Sequence, residues 1–160
     1  MRVIKTTLED FEVRKQVRYI TVTSSSSCLV AVNKDCKPLY EAIMVSDTRA
    51  SFESSYLSEL EEFLEVKELT GLSADPYLMI PKILWVRNNH LQIYEKTYKF
   101  LSPNDYFIAK LSGLFITDEF NAQKYHYSID QRLYPIELLD KNWCIVKFIS
   151  RGCIPWRGYR

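Results

Sequence analysis

Four consecutive serines, Ser24 to Ser27, stand between two short runs of β-branched and apolar residues. The run before them (residues 17–23) and the run after them (28–32) each predict a strand, because such side chains favour sheet structure. A third predicted strand, 42–45, follows the turn-forming sequence NKDCKP. A serine run is usually a flexible linker. Between two predicted strands, however, a flexible linker is not expected.

The rest of the sequence predicts helices that alternate with short strands. Residues 49–70 carry apolar residues at helical spacing, on the face formed by Phe52, Tyr56, Leu60, Phe63 and Leu64. Further helices are predicted at 7–16, 80–88, 91–98, 103–112 and 134–140, and further strands at 114–116 and 125–129. The alternation indicates an α/β fold, with a mixed sheet of about three or four strands flanked by helices.

Three helix ends carry specific signals. Ser102 precedes Pro103, and Asp105 comes three residues after the serine. This order predicts a serine N-cap with proline at the first helical position. Gly71 and Gly113 each follow a predicted helix and are expected to end it.

Charge and hydropathy argue against two classes of partner. The 21 basic and 20 acidic residues leave a net charge of +1, without the basic excess of a nucleic-acid-binding protein. No apolar run approaches the roughly 20 residues of a membrane span. The N-terminal sequence MRVIKTTLEDFEVRKQ lacks the apolar core of a signal peptide. We therefore expect a cytoplasmic protein that binds neither nucleic acid nor membrane.

Few residue patterns in this sequence indicate a catalytic or metal-binding site by themselves. Cys28, Cys36, Cys144 and Cys153 form no CxxC pair, so free thiols are expected rather than a zinc site. No GxGxxG or GxxxxGK[ST] phosphate loop and no GxSxG motif occurs. An unrelated small enzyme built on the serine cluster is one hypothesis, but no base is spaced to activate a serine.

Three stretches in order resemble the FGGY family of carbohydrate kinases, closest to its gluconate and xylulose kinase branch. The first contains KPL (37–39), AI (42–43) and DTR (47–49). The second is LTGLSADPYLMIPKILW (69–85), and the third is FLSPNDYFIAKLSGLFITDEFNA (100–122). The resemblance implies part of a ribonuclease-H-like, actin-like ATPase domain.

The resemblance also implies an activity, the ATP-dependent phosphorylation of a sugar or sugar acid such as xylulose or gluconate. Residues 1–142 resemble the middle and later part of the family's N-terminal domain, and residues 143–160 match nothing in the family. The phosphate loop, the catalytic aspartate and the ATP domain of the family are expected to lie outside these matches. ATP and Mg²⁺ are then implied for the complete enzyme and no cofactor for this chain. Because phosphoryl transfer needs those parts, we expect the isolated chain to be inactive.

The same resemblance places candidate substrate-binding residues and no catalytic residue. Ser26 and Ser27 occupy the sugar-contacting pair, where the family branch has Met-His. Tyr77 matches an aromatic residue that glycerol kinases use against the polyol. Asp47 and Arg49 are expected either to contact the substrate or to pair with each other.

An alternative is a non-catalytic interaction module. If the first strands of the family's domain are missing, a sheet edge and an apolar helix face are exposed, and such surfaces attract partners. The chain would then form a homo-oligomer or dock with the remaining parts of a split kinase. The sequence leaves both hypotheses open.

Overall fold

The computed structural model describes residues 2–136 and residue 139. The unplaced tail predicted at 143–160 lies outside the described residues. So do residues 137, 138 and 140 of the helix predicted at 134–140. Within the described residues, eight helices and two short strands follow one another along the chain.

The described chain begins with two short helices, α1 (Arg2–Glu9) and α2 (Phe11–Gln16). Asp10 separates them, because its carboxylate accepts hydrogen bonds from the backbone N–H groups of Glu12 and Val13, at 2.9 and 3.3 Å. A capping carboxylate of this kind begins a new helix. The single helix predicted at 7–16 is therefore two helices.

Residues 17–23, predicted as a strand, form no regular secondary structure. All of them except Val22 are exposed. Within the described part of the chain, no backbone N–H group of residues 18–23 donates a hydrogen bond. The strand prediction is wrong here, because β-propensity produces a strand only where a neighbouring strand completes the ladder.

The sheet has two antiparallel strands, β1 (Val30–Val32) and β2 (Lys99–Leu101). Val30 faces Leu101 and Val32 faces Lys99. The strand predicted at 28–32 is confirmed in part, but β2 was not predicted as a strand. The described residues thus form a small antiparallel sheet in place of the predicted mixed sheet with about three or four strands.

The predicted strand at 42–45 is reduced to one isolated bridge, between Leu29 and Ile43. Two backbone hydrogen bonds of 2.8 and 3.0 Å join these residues. The segment then turns at residues 45–46, so the pairing does not extend into a strand. The bridge nevertheless holds residues 42–45 against the residue that precedes β1.

Two helices replace the long helix predicted at 49–70, namely α3 (Ser51–Ser58) and α4 (Glu61–Thr70). The break changes the helical phase, so the predicted apolar face is largely wrong. Phe52 is 76% exposed, whereas Leu57 and Val66 are fully buried. Gly71 ends α4 with a φ of 70°, as predicted.

The central helix is α5 (Met79–Asn89), followed after a break at His90 by α6 (Leu91–Lys96). The apolar sequence of α5 is buried, and α3 and α6 pack against it. The main core includes Leu29, Ile43, Leu57, Phe63, Val66, Met79, Ile80, Ile83, Leu84, Val86, Tyr94 and Phe100. Burial of this apolar surface is the main driving force for folding.

The last described helices are α7 (Pro103–Ser112) and α8 (Glu119–Gln123). Ser102 caps α7 by accepting a hydrogen bond of 3.1 Å from the Asp105 N–H, and Gly113 ends it with a φ of 76°. These predictions are confirmed. The strands predicted at 114–116 and 125–129 are absent from the described residues, except for isolated bridge residues such as Ser128, which pairs with Leu133.

Candidate functional site

The serine run is a turn anchored at both ends. Ser26 and Ser27 form the turn that leads into β1. Ser27 is buried and has a φ of 60°, a conformation that L-residues rarely adopt. At the other end, the Ser24 hydroxyl donates a hydrogen bond of 2.5 Å to Oδ1 of Asn104 in α7. These contacts disfavour a flexible linker and leave Ser26 exposed on the surface.

The buried end of the turn is held by Lys82, in the second turn of α5. Its Nζ atom donates a hydrogen bond of 2.7 Å to the Ser27 carbonyl oxygen. It also donates to the carbonyl oxygens of Met44, at 2.9 Å, and Tyr77, at 3.3 Å. An ammonium group has three N–H donors, so these bonds use its full capacity.

Lys82 therefore joins the three chain segments that carry the predicted site residues. They are the serine turn, the segment that runs from Met44 to Asp47 and Arg49, and the loop that carries Tyr77. Lys82 belongs to one of the stretches that resemble the family, but its role as a common hydrogen-bond donor was not predicted. The sequence did contain a signal for this role, a single charged residue within the apolar sequence MIPKILWV. A lysine buried with that sequence requires polar partners.

The electrostatics of Lys82 are unusual for a lysine. Its side chain is fully buried, and within the described part of the chain it forms no ion pair. Burial lowers the pKa of Lys82, while the charges of Cys28, Asp47 and Asp75 oppose that shift. The bonded carbonyl dipoles and the more distant charges thus stabilise the ammonium in its buried position.

Asp47 and Arg49 pair with each other. Arg49 Nη2 lies 2.7 Å from Asp47 Oδ2, and Arg49 Nε lies 2.8 Å from the same oxygen. The Asp47 carboxylate also accepts a hydrogen bond of 3.0 Å from the Arg49 backbone N–H. Hydrogen bonding from Arg49 lowers the pKa of Asp47. The geometry agrees with the pairing alternative, and a contact of either residue with substrate stays a prediction.

Tyr77 lies in the loop before α5 and is 45% exposed. Its backbone is fixed, because the Tyr77 N–H donates a hydrogen bond of 2.8 Å to Oδ1 of Asp75. The neighbouring Leu78 N–H donates to the Asp75 carbonyl oxygen at 2.9 Å. An accessible phenol on a fixed loop can both stack and hydrogen-bond, but its role toward a ligand stays a prediction.

The arrangement provides exposed hydrogen-bonding groups. Ser26 and Tyr77 are both exposed and carry hydroxyl groups. Within residues 2–136 and 139, no three His, Cys, Asp or Glu side chains are grouped to hold a metal ion. Exposed hydroxyl groups can both donate and accept hydrogen bonds to a ligand.

Membrane insertion has no support from the helices that the structure describes, since none combines the length and apolar character needed to span a bilayer.

Comparison with known sequences gives a consistent family. The N-terminal domain of the FGGY family of carbohydrate kinases matches residues 1–142. Over 117 residues the chain is 29% identical to a xylulose kinase of Staphylococcus xylosus, covering 71% of this chain and 24% of that protein. Over 128 residues it is 33% identical to a glycerol kinase of Thermococcus gammatolerans, covering 77% of this chain and 26% of that protein. The chain spans about a quarter of the length of these curated relatives.

The fold comparison agrees with the sequence comparison. The crystal structure of a xyloylose kinase from Brucella ovis superposes with a TM-score of 0.76 at 21% identity, covering 96% of this chain and 31% of that chain. The expected α/β class, as part of a ribonuclease-H-like domain, is thereby confirmed, although its sheet is smaller than predicted. The chain belongs to the FGGY family of carbohydrate kinases, and its residues 1–142 match the N-terminal domain of that family.

Proposed function

We propose that this chain provides one side of the sugar-binding site of an FGGY carbohydrate kinase and does not phosphorylate sugars by itself. We call this side the sugar-facing wall; it consists of the segments that carry Ser26 and Ser27, Asp47 and Arg49, and Tyr77. The observation that carries the proposal is the convergence of the serine turn, the segment ending at Asp47 and the Tyr77 loop on Lys82. The ligand class is a sugar, a sugar acid or a small polyol. The relatives support this class, since they are xylulose and glycerol kinases.

The wall suits a polyol for physical reasons. Ser26 is small and exposed, so a ligand hydroxyl can approach both its side chain and the adjacent backbone. Tyr77 adds an exposed aromatic ring with a hydroxyl group. A polyol needs paired donors and acceptors more than apolar area, and hydroxyl groups supply both.

Phosphoryl transfer requires groups that the described residues do not supply. Transfer depends on phosphate-binding backbone, metal ions and a base for the attacking hydroxyl. The sequence has no glycine-rich phosphate loop, and the described residues offer no group of three metal-binding side chains. We therefore propose ATP and Mg²⁺ as cofactors of a complete enzyme only.

Two assays test the proposal. Thermal unfolding is measured with gluconate, xylulose, ribulose and glycerol up to high millimolar concentration, and ADP release is measured with each sugar, ATP and Mg²⁺. The proposal predicts a saturable rise in Tm with at least one ligand and no sugar-dependent ADP release. No shift with any of the four ligands, or steady turnover by the isolated chain, would overturn it.

A second candidate function, self-association, has support from the residues before the serine run. Val17, Tyr19 and Ile20 are exposed, and Tyr19 is 85% exposed. Together with α7 residues such as Ile108 and Leu111, this segment lines an open groove of about 660 Å³. Within the described chain, the backbone N–H groups of residues 18–23 donate no hydrogen bond. We propose that a second copy pairs with it, strand against strand.

Sedimentation of the purified chain tests self-association. We expect a dimer at high concentration that Ile20→Lys disrupts, while Thr21→Lys, a neighbouring exposed position with the same added charge, weakens it less because strand neighbours face opposite sides. A monomer at all concentrations contradicts this second function and leaves the sugar-binding proposal unaffected.

A further inference from the structure

The strongest unexplained feature of the molecule is a buried ammonium group bonded only to backbone. We infer that Lys82 is the positioning residue of the sugar-facing wall, fixing its three segments relative to one another. This inference rests on the proposed function for what the wall binds. The positioning itself can be measured without any ligand.

The geometry shows why one side chain can act on three segments. Ser27, Met44 and Tyr77 are separated from Lys82 by 55, 38 and 5 residues along the chain. Their carbonyl oxygens meet at one nitrogen atom. Ser27 and Tyr77 are themselves candidate binding residues. In the third segment, the candidate residue Asp47 lies three residues beyond Met44.

Packing alone does not explain a lysine at this position. The neighbours of Lys82 in α5 include Ile80, Ile83 and Leu84, all 2% exposed or less. Removing an ammonium from water is unfavourable unless hydrogen bonds replace its hydration. A methionine would fill similar space without that cost. The gain specific to lysine is the set of three hydrogen bonds, which fixes the backbone.

The three segments have separate long-range contacts, from Ser24 to Asn104, Ala74 to Ser54 and Arg49 to Trp85, but among the described residues only Lys82 bonds to all three. Residues 24–27 and 72–78 form turns and loops, and residues 44–50 form turns. Loops of this kind sample several conformations unless side chains hold them. Without the ammonium, the wall loses its one common anchor among the contacts described above, and its binding groups become mobile.

The test compares Lys82→Met with Ile83→Ala, a cavity-forming change at the next residue of the same helix. Ile83 is fully buried and has no bond to the wall segments, so it controls for loss of global stability. Amide hydrogen exchange is followed at Ile43, Asp47 and Leu78, whose N–H groups form backbone hydrogen bonds, and in the part of α7 beyond Asn104 as a reference. No sugar is present.

In Lys82→Met we expect exchange at these three amides to accelerate roughly tenfold or more relative to α7, as expected for losing hydrogen bonds to a charged group. In Ile83→Ala the wall and α7 amides change together. Lys82→Arg keeps the charge and partly restores slow exchange. A uniform change across the chain in Lys82→Met, or no gain from arginine, overturns the inference.

A measurement on the unmodified chain applies if Lys82→Met does not fold. Lysine labelled with ¹⁵N should give one protected ammonium signal, with cross-peaks to residues 27, 44 and 77. Absence of a protected ammonium signal overturns the inference.

A binding measurement separates this inference from the proposed function. If a polyol raises the Tm of the wild-type chain, Lys82→Met should lose most of that shift and Ile83→Ala should keep it. Equal shifts in both variants contradict positioning by Lys82. If no polyol binds the wild-type chain, the proposed function fails, and the exchange pattern still decides whether Lys82 positions the three segments.

Discussion

Arg49 binds Asp47 through two guanidinium nitrogens, with Nη2 at 2.7 Å and Nε at 2.8 Å from Oδ2. The same guanidinium lies 4.8 Å from the centre of the Trp85 ring. The pair therefore connects the turn after residue 44 to α5, on the helix that also carries Lys82. The contact with the Trp85 ring thus joins the partly exposed ion pair to the helix that holds the three segments through Lys82.

Arg49→Lys should lower the free energy of unfolding by about 1 kcal/mol, because lysine keeps the charge but loses the planar hydrogen bonds and the ring contact. Urea unfolding measures the change. Glu12→Gln is the control, since Glu12 pairs with Lys15 at 3.7 Å on the exposed surface and should change stability by less than about 0.5 kcal/mol. Equal effects of the two variants would show that the Arg49 pair contributes no more than a surface pair.

Sequence patterns predicted helix ends better than strands. The Ser102 cap and the stops at Gly71 and Gly113 were confirmed, because these signals act within a few residues of the chain. Residues 17–23 have high strand propensity, but a strand also needs a partner that local sequence does not specify. The strand β2 (99–101) was missed for the same reason.

The candidate site was predictable only through motif order. Residues near positions 26, 47 and 77 were proposed from the resemblance, and the structure brings their segments to one ammonium group. The contacts of Lys82 join residues as far as 55 positions apart, so the local sequence could indicate that this lysine needs polar partners but not which carbonyl groups they are. The exposure of Phe52 was also unpredictable, since it depends on the break between α3 and α4.

Asp105 should make the protein less stable as the pH rises from about 4 to about 6. The residue is 1% exposed, and burial raises its pKa from 3.8 to about 6. The folded state then binds more protons than the unfolded state across this window, so the free energy of unfolding falls as pH rises. The full effect is about 3 kcal/mol.

Asp105→Asn removes this ionisation and should be more stable than the wild-type chain at pH 7, with a smaller difference at pH 4. Urea midpoints at pH 4, 5, 6 and 7 give the comparison, with Asp35→Asn at an exposed position as the control. A wild-type advantage over Asp105→Asn that grows with pH would contradict the assigned direction.

His126 should act in the opposite direction. It is fully buried, and burial lowers its pKa from 6.5 to about 4. The unfolded state binds more protons between these values, so stability increases as pH rises through this window. His126→Asn, which tolerates the φ of 60° at this position, should flatten the rise, although lost packing against Phe63 lowers stability at every pH.

The two opposing ionisations overlap between about pH 4 and pH 6. We therefore expect a nearly flat wild-type profile there, a rising profile in Asp105→Asn and a falling profile in His126→Asn. Parallel profiles for all three proteins would show that neither group changes its protonation on folding.

Ser27→Gly separates the structural role of the turn from its role in binding. Glycine adopts a φ of 60° without strain, so stability should stay equal or rise by up to about 1 kcal/mol. The variant keeps the carbonyl group bonded to Lys82 and loses the hydroxyl. If the ligand-induced Tm shift is smaller in Ser27→Gly at unchanged stability, the Ser27 hydroxyl binds the ligand. If the shift is unchanged, the hydroxyl does not contribute to binding.

Amide chemical-shift mapping during a polyol titration tests the central claim most directly, because it reports where a ligand binds as well as whether it binds. The chain is titrated with xylulose, gluconate and glycerol, and shifts are followed residue by residue. We predict saturable shifts that concentrate at Ser26, Ser27, Asp47 and Tyr77. Saturable shifts confined to other surfaces, or no shifts with any of these ligands, would contradict a sugar-facing wall around Lys82.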